Sequence, residues 1–324
     1  MATIFVAGNI PEEGLRLLEG HNVDMYTGEE LISEEELQVR VRKSDAILSL
    51  LSTKVSRATI DVATKAKIIA NYGAGFDNID YQYAEERGIH VTNTPNVSTE
   101  ATAELTFALL LAATRRVAEG DELCRAVGFN GWAPLFFLGR EVYGKTLGII
   151  GLGKIGQGVA KRAKAFGLHV IYTGPNRKEE VEKELGVTYV PFEELLQTAD
   201  FITINCSYNA SMKHMISTDE LAMMKKTAYI VNASRGPIMN EQALVDALKN
   251  GVIEGAALDV FEFEPHITEE LKTLKNVVLT PHIGNATIET RDAMAVMAVE
   301  NILAVLGGKK PLTPVNEVKE CVYS

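Results

Sequence analysis

The sequence predicts an α/β protein made of two doubly wound parallel-sheet units, the second inserted into the first. Three observations carry that expectation. The chain has 324 residues, more than one hydrophobic core ordinarily encloses. Short unbroken apolar runs alternate with helical patterns, as in a parallel sheet covered on both faces. That alternation occurs twice, on either side of a long helix and a looser glycine-containing stretch. A cleft between the two units is expected.

Taken in order, "TIFVAG" reads as a strand and "PEEGLRLLEG" as a helix that opens at Pro11 and closes near Gly20. "NVDMYT", "DAILSL", "KIIANYG" and "IHVTN" read as further strands with helices between them. "VSTEATAELTFALLLAATRR" gives a long helix with Ser98 or Thr99 as N-cap, which places the first boundary near residue 98. After the connector "GFNGWAPLFFLGREVYGK", a second strand series follows: "TLGIIGLG", "LHVIYT", "DFITINC", "AYIVNAS", "GAALDVF" and "NVVLTPH". A last helix over about 286–306 carries the chain back to the first unit. The expected domains are 1–98 with 288–324, and 99–287.

Composition narrows the partners. With 46% apolar and 23% charged residues the chain is an ordinary globular one, and a net charge of −11 argues against nucleic acid or an anionic membrane. A locally basic pocket for a small anion remains compatible with that surface. Cys124, Cys206 and Cys321 are widely spaced and form no CxxC pair, which points to a reducing compartment and no metal site. "MATIFVAGNI" lacks the basic start and long apolar run of a signal peptide, and no stretch approaches about 18 apolar residues. A cytoplasmic location is expected.

"TLGIIGLGKIGQGVAKRAKAFG" holds Gly151, Gly153 and Gly156 between an apolar strand and a helix with apolar positions at 155, 159, 160, 163 and 166. The first glycine allows a tight turn, the second lets backbone approach a pyrophosphate, and the third lets helix and strand pack closely. The helix N-terminus at Lys154 and Ile155 offers free N–H groups to phosphates. These features predict a dinucleotide site. Such sites usually carry an acid about twenty residues on, for the adenosine ribose. Here "VIYTGPNRK" has Gly174 at that tip, with Thr173, Asn176, Arg177 and Lys178 around it. A carboxylate would repel a 2′-phosphate, so NADP(H) is expected in preference to NAD(H).

Three polar residues follow later strands at their C-terminal ends, where open sheets place ligands. They are Arg235 in "VNASRGP", Glu264 in "DVFEFEP" and His282 in "LTPHIGN". Alone, each reads as a solvated arginine, a capping acid and a structural histidine. Together, with "NYGAGFDNID", "NVSTEATAELTFALLLA" and "ASRGPIMNEQALVDALKNGVIEGAALDVFEFEP", the chain resembles the D-isomer-specific 2-hydroxyacid dehydrogenases over essentially its whole length. It is most similar to glyoxylate/hydroxypyruvate reductases, whose NADP-preferring members share the "YTG" strand tip.

The resemblance implies a Rossmann cofactor domain inserted into a flavodoxin-like substrate domain. It implies reduction of 2-oxo acids, glyoxylate and hydroxypyruvate or bulkier ones such as phenylpyruvate, to D-2-hydroxy acids. His282 would be the proton donor, Glu264 would fix its tautomer and stabilise the imidazolium, and Arg235 would bind the substrate carboxylate. Formate dehydrogenases of similar fold carry Gln in place of Glu264, which argues against that activity.

By the same resemblance Ala74 and Gly75 would present N–H groups to the substrate carboxylate. Leu50, Leu51 and Ser52, at the end of a first-domain strand, are expected to line the pocket with Phe76, and their apolar character would admit acids bulkier than glyoxylate. Asp259 would contact the nicotinamide carboxamide, or else act as a strand-end structural acid. Ile155 would touch the pyrophosphate through its backbone, and Cys206 with Ser207 would lie near the adenosine. Trp132 would reach into a partner's site in a homodimer formed through the cofactor domain, or else pack within its own loop. Asn285 replaces the commoner Ser or Gly beside His282, which bears on substrate preference. An NAD-dependent D-lactate or D-3-phosphoglycerate dehydrogenase, or a nucleotide-sensing corepressor, are the alternatives.

Overall fold

The computed structural model describes residues 1–318, and Cys321 lies outside them. The chain divides into two compact units, Met1–Ser98 with the chain from Asn285 onward, and Thr99–Gly284. By this division the second boundary falls between Gly284 and Asn285, and the expected one lay after residue 287. The Asn285–Thr287 segment leads into the last helix, whose N-cap is Thr287, and goes with it.

The first unit contains β1 (Thr3–Val6), α1 (Glu12–Arg16), β2 (Asn22–Met25), α2 (Glu34–Val41), β3 (Ala46–Leu50), α3 (Arg57–Val62), β4 (Ile68–Tyr72), α4 (Tyr81–Glu86) and β5 (His90–Thr92). All five strands are parallel in the order β2-β1-β3-β4-β5, which is the flavodoxin-like order. The interior strand β4 is buried along its whole length, as a strand covered on both faces must be. Helix α1 stops at Arg16, short of the expected Gly20. Beyond it the N–H groups of Leu17, Leu18 and Glu19 reach back only three residues, so the segment winds as tight turns.

The second unit contains α5 (Thr99–Thr114), α6 (Val117–Ala126), β6 (Thr146–Ile150), α7 (Lys154–Ala165), β7 (His169–Thr173), α8 (Glu179–Leu185), β8 (Thr188–Tyr189) and α9 (Phe192–Thr198). It continues through β9 (Phe201–Ile204), α10 (Thr218–Met223), β10 (Tyr229–Asn232), α11 (Glu241–Lys249), β11 (Gly255–Leu258), α12 (Glu269–Thr273) and β12 (Val277–Leu279). Its parallel sheet has the order β12-β11-β10-β9-β6-β7-β8. The chain runs outward from β6 through β7 to β8, then returns to β9 on the other side of β6. The order reverses between β6 and β9, and ligands of open parallel sheets bind above that point. Strand β8, only two residues of "GVTYV", has no apolar run to announce it.

Helix α5 packs against α7 so closely that a Cβ on Gly158 would stand 2.8 Å from the Ala103 Cβ. Phe107 and Phe166 meet edge-on at 4.8 Å at the far end of this contact, leaving Phe166 half exposed. The last helix, α13 (Ile288–Leu306), places Met294, Val299 and Ile302 in one core of the first unit with Ile4, Leu48 and Ile68. Among the described residues no helix is long and apolar enough to cross a membrane.

Candidate active site

The turn after β6 has the form a dinucleotide needs. Gly151 has φ 95°, and a Cβ there would stand 2.7 Å from the Cys206 Cα at the end of β9. A Cβ on Gly156 would meet the Gly151 carbonyl at 2.3 Å, so only glycine lets α7 start this close to β6. Gly153 has nothing within 4 Å of its Cβ position, and it caps α7 without any side-chain hydrogen bond. The first turn of α7 carries no acid, Lys154 is exposed and Ile155 is half-buried against the core. An uncapped helix N-terminus beneath an open glycine fits a pyrophosphate.

At the tip of β7 the space at Gly174 is open, with nothing within 4 Å of a Cβ there. Its neighbours are less free than the sequence suggests. Thr173 is buried. The Lys178 N–H donates to the Tyr172 hydroxyl at 2.7 Å. The Arg177 guanidinium forms a bidentate pair with Glu182 on α8, both bonds 2.9 Å, and Tyr172 donates to the same carboxylate at 2.9 Å. The Arg177 bond and charge hold Glu182 below the ordinary carboxylate range despite its partial desolvation. Arg177 thus arrives with an internal partner, and Asn176 is exposed beside it. Just past β9, burial pushes the Cys206 thiol up to about 11, so it is a neutral neighbour of the turn, and Ser207 is exposed.

Arg235, Glu264 and His282 all belong to the second unit and follow β10, β11 and β12. Asn232 prepares the first of them, accepting the Ser234 N–H at 3.1 Å and donating to the Arg235 carbonyl at 3.0 Å. Glu264 accepts the Phe261 N–H through Oε1 at 2.9 Å and faces His282 Nδ1 through Oε2 at 2.9 Å. An ionised carboxylate can only accept, so Nδ1 carries the proton and Nε2 is the ring atom left for chemistry. Burial opposes ionisation of Glu264. The His282 hydrogen bond and charge, the Phe261 N–H and the Arg235 charge outweigh it, so Glu264 sits below its ordinary value.

His282 adopts φ 53°, a left-handed conformation that its turn must hold. Asp259 supplies that hold. Its carboxylate accepts the Thr280 hydroxyl at 2.7 Å and the Ile283 and Gly284 N–H groups at 2.8 Å each. It is 1% exposed, and burial raises its pKa against those bonds.

In the first unit, the loop after β4 turns its carbonyls inward. Asn93 donates to the Ala74 carbonyl and Asn71 to the Gly75 carbonyl, each at 2.7 Å. Among the described residues neither the Ala74 nor the Gly75 N–H has an acceptor, so both remain as donors. Leu51 lies directly against Gly73, where a Cβ would be 2.3 Å from Leu51 Cδ2, and Phe76 meets Tyr81 edge-on at 5.3 Å.

Trp132 is 86% exposed in the connector between α6 and β6. The sequence reading missed Glu182, His214 and Glu262. Each is an ordinary surface residue by type, and only its partner makes it informative. Among the described residues no group of three or more His, Cys, Asp or Glu side chains is placed to hold a metal.

Comparison with known proteins agrees with this geometry. Residues 107–284 match the family model "D-isomer specific 2-hydroxyacid dehydrogenase, NAD binding domain". A Staphylococcus epidermidis protein provisionally named a 2-hydroxyacid dehydrogenase is 60% identical over 98% of this chain and 100% of its own. The chain belongs to the D-isomer specific 2-hydroxyacid dehydrogenases. It is thus an oxidoreductase of that family with a nicotinamide-dinucleotide domain. A Thermus thermophilus crystal structure resembles the dehydrogenase with a TM-score of 0.92 at 39% identity, over 97% of this chain and 100% of that one. The NADPH-dependent glyoxylate/hydroxypyruvate reductase of Sinorhizobium meliloti, in complex with NADP and malonate, does so at 0.83 and 33%, over 98% and 97%.

Proposed function

We propose that this dehydrogenase acts as an NADPH-dependent reductase of small 2-oxo acids, glyoxylate and hydroxypyruvate first among them, giving D-2-hydroxy acids. The observation that carries the reading is the Glu264–His282 couple with the Arg235 charge beside it, in the unit whose glycine turn fits a dinucleotide. NADPH is favoured by the open, acid-free tip at Gly174 and by likeness to the Sinorhizobium meliloti reductase.

A bound nicotinamide supplies the hydride. Reduction of the carbonyl also requires one proton at its oxygen, and His282 delivers it from Nε2. The ring is left neutral, held through Nδ1 by Glu264, and regains its proton from water. Glu264 keeps the ring in one tautomer and stabilises the charged form from which the proton leaves. Arg235, a planar permanent cation, binds the substrate carboxylate and draws electron density from the adjoining carbonyl.

The test is loss of absorbance at 340 nm with NADPH and glyoxylate, hydroxypyruvate, pyruvate or phenylpyruvate. The wild-type enzyme turns over at least one of them. H282A loses roughly 10²–10⁴-fold in kcat while still binding NADPH. Flat traces with all four acids would retire the reductase reading, and a near-normal H282A would remove His282 from the chemistry.

A further inference from the structure

A second histidine–carboxylate pair stands beside the first. In "FEFEP", Glu262 and Glu264 are two residues apart. Glu264 takes His282, whereas Glu262 takes His214, with Nε2 to Oε1 at 2.5 Å. The other oxygen of Glu262 accepts the Glu241 N–H at 3.2 Å, and the Glu262 N–H donates back to the Glu241 carboxylate. That carboxylate also accepts the Thr268 hydroxyl. The Glu262 side chain is 8% exposed and Glu241 is 2% exposed, so the imidazole is bonded to one of two buried acids. Buried carboxylates persist only with such partners.

The backbone of His214 reaches the other catalytic loop. Its N–H donates to the Pro237 carbonyl at 2.8 Å, inside the short 3-10 turn Gly236–Ile238 that Arg235 opens. The Ile216 N–H then donates to the Ile238 carbonyl, and the Asn240 N–H to the Ile216 carbonyl. Residues 214–216 therefore run along the segment that carries Arg235, while the His214 ring grips the segment that carries Glu264. The two segments touch at Gly236, where a Cβ would be 1.8 Å from the Phe261 carbonyl oxygen. His214 has φ 56°, an uncommon conformation for a non-glycine residue, and it occurs where both loops are tied.

We propose that His214, acting through Glu262, is a positioning residue that sets the spacing between Arg235 and the Glu264–His282 couple. The proposal rests on the roles given above to those three residues. A guanidinium that holds the carboxylate of a small acid leaves the carbonyl little freedom relative to the ring that protonates it. A misplacement of about 1 Å can cost ~10²-fold in rate.

H214L and H214Q test this, because both remove the ring but only Gln keeps an N–H for Glu262. Measured well below each variant's Tm, H214L is expected to lose roughly 10–100-fold in kcat and to raise the KM for glyoxylate. Its NADPH affinity, read by nucleotide fluorescence, stays at the wild-type value. H214Q recovers most of the turnover. Wild-type kcat and KM in H214L, or H214Q as poor as H214L, overturns the proposal. If H214L does not fold, E262Q takes its place, with a lower kcat and unchanged NADPH affinity expected and an unchanged kcat decisive against it. H282A in the same series separates the failures. A dead H282A beside a normal H214L refutes only the positioning role, whereas an active H282A removes the reading on which it stands.

Discussion

At the scale of single residues, the NADPH reading proposed above rests most on Gly174. The position is open, so the Cβ of an aspartate there meets no neighbour within 4 Å and the variant should fold. At ~4 Å a pair of unit charges is worth ~4 kcal/mol at an effective dielectric of 20. G174D should therefore shift the kcat/KM ratio of NADPH to NADH by 10-fold or more toward NADH, on the order of 1.4 kcal/mol per decade. An unchanged ratio would dissociate Gly174 from the choice of cofactor. Arg177 needs a different account from the one its charge suggests. Its bidentate bond to Glu182 means a phosphate must share or displace an internal partner, so the basic run "NRK" contributes less attraction than three exposed donors would.

At the scale of elements, the loops after β11 and β12 are held by two acids with opposite pH behaviour. Glu264 sits below its ordinary value, so the unfolded chain binds its proton more readily than the folded one. The stability it contributes is fully present above the unfolded pKa and is lost as pH falls through the lower folded one. Asp259 is raised by burial and behaves in the reverse sense: ionising it as pH rises through its folded pKa costs stability. E264Q should accordingly show a shallower fall in Tm than wild type between about pH 5 and 3, starting from a lower value at neutral pH. Parallel curves in a thermal-shift titration would mean that the His282 contact adds nothing to folding.

At the scale of the whole molecule, the connector between α6 and β6 presents Val127, Phe129, Trp132, Leu135 and Leu138 to solvent. Trp132 and Leu135 are 86% and 85% exposed, an apolar display unusual for a monomer surface. We propose that a second copy of the chain covers it. Sedimentation at micromolar concentration should give a dimer for wild type and a monomer for W132S/L135S, with the Tm of the second lower by a few degrees. A monomeric wild-type protein would end the dimer reading.

The sequence by itself determined the order of nearly all strands and helices and the glycine turn, and it singled out Arg235, Glu264 and His282 as candidates. These are local properties: hydrophobic period, residue type and spacing inside one loop survive without knowledge of what lies across the sheet. It did not announce β8, because a strand of two residues is too short to carry a period. Nor did it show that Glu262 belongs to His214, 48 residues away, while Glu264 belongs to His282, 18 residues away. Only the tertiary structure decided such pairings. Strand order brings the ends of β10, β11 and β12 side by side, and burial then forces each acid there to take whichever donor the fold delivers.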